Sequence, residues 1–261
     1  MFVQKIGHGF PLLMLHGFPL DHRSLLPFED FLPETGQWER YYIDLPGLGA
    51  TRDDTKITCA QDILTRLTAY IDEEFRARRF AIVGYSFGGL LASALAAQYG
   101  SQITSMFLLA PETVPAQERR NLAKKVAYHM SDLPDSATQD ELQAYKTTAV
   151  IYSAESFEAF RRYIYTGLVA NAKNPAVEAV MNHPSLDRSP ESYLSDYHEP
   201  VMIITGQHDS MVGYKDAFHL YESVHEGTFV CIPKAGHNIH VEHPDTVRAL
   251  FQRWLDGIGE Q

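Results

Sequence analysis

Six residues, Gly84-Tyr85-Ser86-Phe87-Gly88-Gly89, join the apolar run Phe80-Ala81-Ile82-Val83 to the helix-like stretch Leu90-Leu91-Ala92-Ser93-Ala94-Leu95-Ala96-Ala97. A buried strand must here turn abruptly into a helix. Glycine at 84 and 88 marks a turn too tight for side chains. Such a turn pushes the Ser86 hydroxyl out of the sheet top. It also sets the Phe87 N–H at the start of a helix, where negative charge is favoured. Strand, Gly-x-Ser-x-Gly and helix in succession are the pattern of a nucleophile elbow. The short motif also fits an ordinary glycine-rich turn, so the rest of the chain has to decide.

Three more segments share one design. Leu12-Leu13-Met14-Leu15 ends in His16-Gly17-Phe18-Pro19. Val201-Met202-Ile203-Ile204 ends in Gly206-Gln207-His208-Asp209, and Phe229-Val230-Cys231-Ile232 leads to Ala235-Gly236-His237-Asn238. Each is a buried-type strand with polar residues at its C-terminal end. In an open parallel sheet those ends share one edge, where ligands bind. Ser86, Asp209 and His237 are therefore expected to converge.

Expected strands cover 2–6, 11–16, 38–43, 80–85, 104–109, 201–206 and 228–232. Ala60–Ala77 carries Ile63, Leu64, Leu67, Ile71 and Phe75 at helical spacing, as Val247–Leu255 carries Val247, Leu250, Phe251, Trp254 and Leu255. Alternating strands and helices imply an α/β fold with a doubly wound, mostly parallel sheet of about seven strands. From about Glu112 to Glu199 the alternation stops. No strand is expected there. Helices are expected at Gln117–Met130, Asp140–Tyr152, Ser156–Asn171 and Pro175–His183, with Asn174-Pro175 and Ser189-Pro190 as start signals. The expected division is a core of 1–111 and 199–261 with a helical cap of 112–198. A cap would exclude water and shape a pocket. Of its aromatics Tyr128, Tyr145, Tyr152, Phe157, Phe160, Tyr163 and Tyr165, one or two are expected to line that pocket. Arg161-Arg162 reads as a solvated helix face rather than a carboxylate clamp.

Composition fits a soluble enzyme. The 261 residues are 45% hydrophobic, enough for one large core. A formal charge of −11 disfavours nucleic acid, whose phosphates would be repelled. No apolar stretch approaches a membrane span, and Met1-Phe2-Val3-Gln4-Lys5 lacks a signal-peptide pattern. Cys59 and Cys231 are expected as free thiols in a reducing cytoplasm. The glycines of Gly47-Leu48-Gly49 and Gly88-Gly89 lack the spacing of a dinucleotide or phosphate loop. His208 and Asp209 have no companion ligand cluster at metal-binding spacing. The expected partner is a small-molecule substrate, with no cofactor and no metal; oligomeric state is not legible.

His16-Gly17-Phe18-Pro19, Asp44-Leu45-Pro46-Gly47-Leu48-Gly49, Gly84 to Gly89, Asp209 and Gly236-His237 together resemble the α/β-hydrolase superfamily nearly end to end. The order Ser, Asp, His is also that family's order. Members usually carry a two-stranded hairpin before the His16 strand. Phe2–Ile6 supplies only one strand, so the first family strand is expected to be missing or reduced. Thr51 stands where many members have serine, and no function is attached to it. The resemblance implies that Phe18 and Phe87 offer the N–H groups of an oxyanion hole. It also makes Glu112, after the Leu108-Leu109-Ala110-Pro111 strand end, a competitor to Asp209 as the triad acid. Asp209 is preferred, because Gly-Gln-His-Asp matches the commoner position. His16 reads as a scaffold residue, and His8, His22, His208, His240 and His243 as solvent-facing or structural.

Chemistry follows from residue type. A serine hydroxyl needs a neighbouring base, and imidazole titrates in the right range. His237 is expected to take and return the Ser86 proton while Asp209 holds its tautomer. Relatives that open epoxides or displace halide use aspartate at the elbow, so serine disfavours both reactions. The leading expectation is hydrolysis of a small or medium carboxylic ester. A carbon–carbon bond hydrolase, a lactonase and a cofactor-free perhydrolase share the same triad. A ligand-binding receptor on this fold is the alternative of another class.

Overall fold

The computed structural model describes residues 1–32, 36–52 and 56–259. Its strands are β1 (Val3–Gly7), β2 (Phe10–Leu15), β3 (Trp38–Ile43), β4 (Phe80–Tyr85), β5 (Ile103–Leu109), β6 (Tyr128–His129), β7 (Ile151–Tyr152), β8 (Val201–Gly206) and β9 (Gly227–Ile232). Its helices are α1 (Ala60–Glu74), α2 (Phe87–Tyr99), α3 (Gln139–Thr148), α4 (Ala154–Phe160), α5 (Thr166–Ala170), α6 (Pro175–Asn182), α7 (Pro190–Leu194), α8 (Tyr214–Tyr221), α9 (Ile239–Glu242) and α10 (Pro244–Gly259).

Seven strands form one sheet in the order β1-β3-β2-β4-β5-β8-β9. All neighbours are parallel except β1, which runs antiparallel to β3 at the edge. One strand thus precedes β2, as expected. The winding direction reverses between β2 and β4, since β3 lies on one side of β2 and β4 on the other. Crevices at such a reversal, beyond the strand C-termini, are where open α/β sheets bind ligands.

Both sheet faces are covered, which is why the central strands are apolar throughout. Leu13, Leu15, Ile82, Leu108 and Ile203 pack with Ile63 and Leu67 of α1, Leu91 and Leu95 of α2 and Leu220 of α8. The alternate residues Leu12, Met14, Val83, Phe107 and Ile204 face the other way, onto Phe28 and onto Phe251, Trp254 and Leu255 of α10. Phe28, Phe107 and Phe251 meet edge to face at 4.9–5.9 Å, a favoured aromatic geometry.

Residues 112–198 differ from expectation in two places. The helix expected over Gln117–Met130 is a single turn, Gln117–Arg119, followed by extended chain. The physical reason is competition for N–H groups. Asn121 N–H goes to Asp216 Oδ2, Ala123 N–H to Asp209 O, and Tyr128 N–H to Val150 O. Tertiary acceptors thereby replace the carbonyls four residues back. The second correction is that strand does occur here: β6 and β7 pair in parallel over two residues each. α3 stops at Thr148 because the N–H groups of Val150 and Ile151 are held by Glu242 Oε1. α4 continues through a π-helical turn, Arg161–Tyr165, into α5. Asn174 and Ser189 cap α6 and α7 with proline as the first helical residue. No helix among the described residues is long and apolar enough to cross a membrane. Cys59 and Cys231 are free thiols, both half-buried.

Candidate active site

Ser86 sits between β4 and α2 with φ 54° and ψ −116°. That backbone conformation costs an ordinary residue about 1–3 kcal/mol and persists only when its surroundings over-determine it. Here Ser86 N–H donates to Leu109 O, while Ser86 O accepts from Gly89 N–H and Glu112 N–H. Close packing does the rest. A Cβ on Gly88 would stand 2.1 Å from Leu15 O, and one on Gly84 would stand 2.7 Å from Gly88 O. α2 therefore begins hard against the end of β2, and the turn has no room to relax.

The ends of β8 and β9 bring up Asp209 and His237. His237 Nε2 lies 3.0 Å from Ser86 Oγ, and His237 Nδ1 lies 2.8 Å from Asp209 Oδ2. Nδ1 facing a carboxylate carries the hydrogen, which leaves Nε2 free to accept from the serine. Asp209 is fully buried. Burial alone would push its carboxyl up, but the His237 ring and N–H bonds from Met211 and Val212 hold it below the usual carboxylate range. Glu112 makes no such contact with His237. It is buried next to Ser86 and paired with Arg120 at 3.2 Å.

Phe18 and Phe87 flank the serine. A Cβ on Gly17 would lie 3.1 Å from Ser86 Cβ, and the two phenyl rings meet edge to face at 5.7 Å. His16 anchors this loop. Its Nδ1 bonds Gly17 O, its Nε2 accepts Leu45 N–H, and burial lowers its basicity. His22 packs onto Asp44, which also accepts Ala50 N–H. Thr51 Oγ1 accepts Phe2 N–H and donates to Asp44 O, pinning the start of the chain to this loop. Asp21, His22 and Asp44 bring potential ligand atoms within 4.8 Å of one another. Arg23 already forks onto Asp21, and the His22 and Ala50 main-chain N–H groups donate to Asp44, so hydrogen bonds account for this cluster.

Ser86 and His237 open into a cavity of about 690 Å³. Phe18, Leu20, Phe160, Ile164, Leu168 and Val180 give it an apolar wall, while Glu112 and Arg120 make a polar one. Of the seven aromatics singled out between residues 128 and 165, Phe160 lines the cavity. Arg161 pairs with Glu141 and Glu158 instead of facing it. His240 is buried with Nε2 on Ser24 O, and burial drops it to about 4.

Sequence reasoning missed the residues behind the site. Tyr85 donates to Asn238 Oδ1 at 2.6 Å, and its ring lies 5.2 Å from the His237 ring. Asn238 Nδ2 donates to Thr148 Oγ1 at the end of α3. Glu242 accepts Gly236 N–H with one oxygen and Val150 and Ile151 N–H with the other. Tyr85 and Asn238 adjoin motif residues and could have been suspected; Glu242 and Arg120 carry no local signal.

The family model described as the alpha/beta hydrolase family matches residues 12–250. The chain is 27% identical over 253 residues to the 2-succinyl-6-hydroxy-2,4-cyclohexadiene-1-carboxylate synthase of Enterobacter sp. (strain 638), covering 95% of this chain and 92% of that protein. It is 24% identical over 265 residues to monoacylglycerol lipase ABHD6 of Bos taurus, covering 97% and 77% respectively. The crystal structure of an alpha/beta superfamily hydrolase from Oenococcus oeni PSU-1 superposes with a TM-score of 0.92 at 28% identity, over 98% of this chain and 96% of that one. A match that runs from β2 into α10, on a sheet wound in this order, makes the chain a member of the alpha/beta hydrolase family and one of its enzymes.

Proposed function

We propose that this protein hydrolyses small or medium carboxylic esters through Ser86, His237 and Asp209, by way of an acyl-enzyme. One observation carries the reading: an unbroken contact chain from Asp209 through His237 to Ser86 at the floor of a largely apolar cavity. Ser86 Oγ attacks the ester carbonyl while His237 Nε2 takes its proton. His237 returns that proton to the leaving alcohol, and Asp209 stabilises the imidazolium in between. The Phe18 and Phe87 N–H groups receive the oxyanion. One such donor is typically worth about 3–4 kcal/mol. Water activated by His237 then releases the acid. Residues 112–198 act as a cap that closes the cavity and keeps bulk water from the acyl-enzyme. The free thiols suit a cytoplasmic setting.

Similarity to the Enterobacter synthase favours a second reading, carbon–carbon bond chemistry on the same three residues. A graded series of p-nitrophenyl esters, assayed beside Ser86→Ala, separates the two. Multiple turnovers that fall by about 10³-fold or more in the variant support serine ester chemistry. Equal turnover in both proteins would remove Ser86 as nucleophile. Silence on every ester would shift the assignment to the carbon–carbon reading.

A further inference from the structure

Glu112 is not used by the ester mechanism, yet it stands beside it. Its N–H donates to Ser86 O at 2.9 Å, and its side chain lines the cavity while only 9% of the residue is exposed. Among the described residues its carboxyl meets one polar partner, Arg120 Nη2, at 3.2 Å. A carboxylate offers about four acceptor sites. Arg120 cannot fill them all, because three of its five N–H groups are engaged, Nε on Val114 O, Nη1 on Met211 O and Nη2 on Pro115 O, which leaves at most two for the carboxylate. A buried acceptor without donors is expensive to leave unmade. The cavity therefore holds a charge-compensated carboxyl with acceptor sites left for a further donor.

We propose that the Glu112–Arg120 pair is a subsite for a hydroxyl group carried by the substrate, so that the preferred ester bears a hydrogen-bond donor near its scissile carbonyl. The inference rests on the ester reading above. An alkyl group at this position would leave Glu112 unpaired. A carboxylate would find three of the five Arg120 N–H groups held by main-chain carbonyls and would face Glu112, with Glu118 also at the cavity wall. An ammonium would add a charge that Arg120 already supplies. Burial, opposed by Arg120 and His237, pushes the Glu112 carboxyl up to about 7. Near neutrality it can thus donate to a hydroxyl as well as accept from one.

The test compares kcat/KM for propyl butyrate, hydroxypropyl butyrate, propyl hydroxybutyrate and monopropyl succinate. The second and third esters place the hydroxyl on the alcohol side and the acyl side, and so report which half reaches Glu112. At least one hydroxylated ester should exceed propyl butyrate by about ten- to a hundredfold, the range of a hydrogen bond to a charged group. Monopropyl succinate should fall below propyl butyrate. In Glu112→Leu the hydroxyl preference should fall to near one. Glu112→Gln, which keeps an acceptor without the charge, should retain part of that preference and relax the discrimination against succinate. It also serves if the leucine variant does not fold. Equal use of plain and hydroxylated esters by the wild type overturns the subsite alone, as does a preference that survives in Glu112→Leu. Ser86-independent turnover, or none, of all four esters overturns the ester reading and the subsite with it.

Discussion

The two halves of the cavity wall are held by different forces. On the floor, Ser86, Asp209 and His237 follow the ends of β4, β8 and β9, strands whose register is locked by main-chain ladders, with β4 and β8 buried throughout. Residues 112–198, which we read as the roof, join the rest through scattered main-chain bonds, packed apolar side chains and several side-chain ties. Asn171 Nδ2 donates to Leu20 O and its Oδ1 accepts Gly49 N–H. Glu242 grips Val150 and Ile151, and Arg120 grips Met211. The floor is specified redundantly, by backbone geometry. The roof is specified by side-chain packing and scattered ties rather than by a strand ladder, so its lining can change residue by residue.

That contrast can be broken at graded strengths. Asp209→Asn keeps the shape of the floor but removes the partner that sets the His237 tautomer; kcat for ester cleavage should fall about 10⁴-fold with little change in melting temperature. Gly88→Ala attacks the floor's packing instead. Its Cβ would meet the Leu15 carbonyl at 2.1 Å, and main chain cannot step aside. The expected loss is about 3 kcal/mol or more, read by denaturant unfolding.

Glu242 tests the joint between floor and roof. Burial raises its carboxyl to about 7, against the N–H bonds that lower it. A carboxyl whose folded value is raised binds its proton more tightly folded than unfolded. Its contribution is greatest below about 4.5, declines through about 7, and is level above that. Unfolding free energy should therefore fall between pH 5 and 8 by up to about 3 kcal/mol from this group, and Glu242→Gln should flatten that slope. The smallest effect belongs to the roof alone. Asn171→Ala should cost about 1–3 kcal/mol and raise KM more than it lowers kcat, with faster proteolysis within residues 112–198. A matching loss in kcat would mean that the Asn171 tie also aligns the floor.

The same contrast explains what could be read from sequence. Apolar runs such as Leu12–Leu15 and Phe80–Val83 carry their own burial, so strands and their polar C-terminal residues were legible one by one. The turn at Gly84–Gly88 was legible because sterics act within a few residues. Over Gln117–Met130 helical spacing misled. The N–H groups there are claimed by Asp209, Asp216 and Val150, partners far off in the chain. Glu242 stayed invisible for the same reason, since its three donors lie at positions 150, 151 and 236. Glu112 was noticed only as a rival to Asp209. Its pairing with Arg120 needed the folded chain.

The bonds from Tyr85 to Asn238 to Thr148, with Glu242 behind them, have a consequence for traffic through the cavity. They weld the end of α3 to the loop that carries His237. Any outward swing of that wall would drag the imidazole away from Ser86. Among the described residues no such weld ties the wall across from it to the histidine loop, and Met181, which lines the cavity there, is 65% exposed. The α5–α6 side can therefore shift without moving the imidazole, and Met181 makes that edge of the cavity apolar.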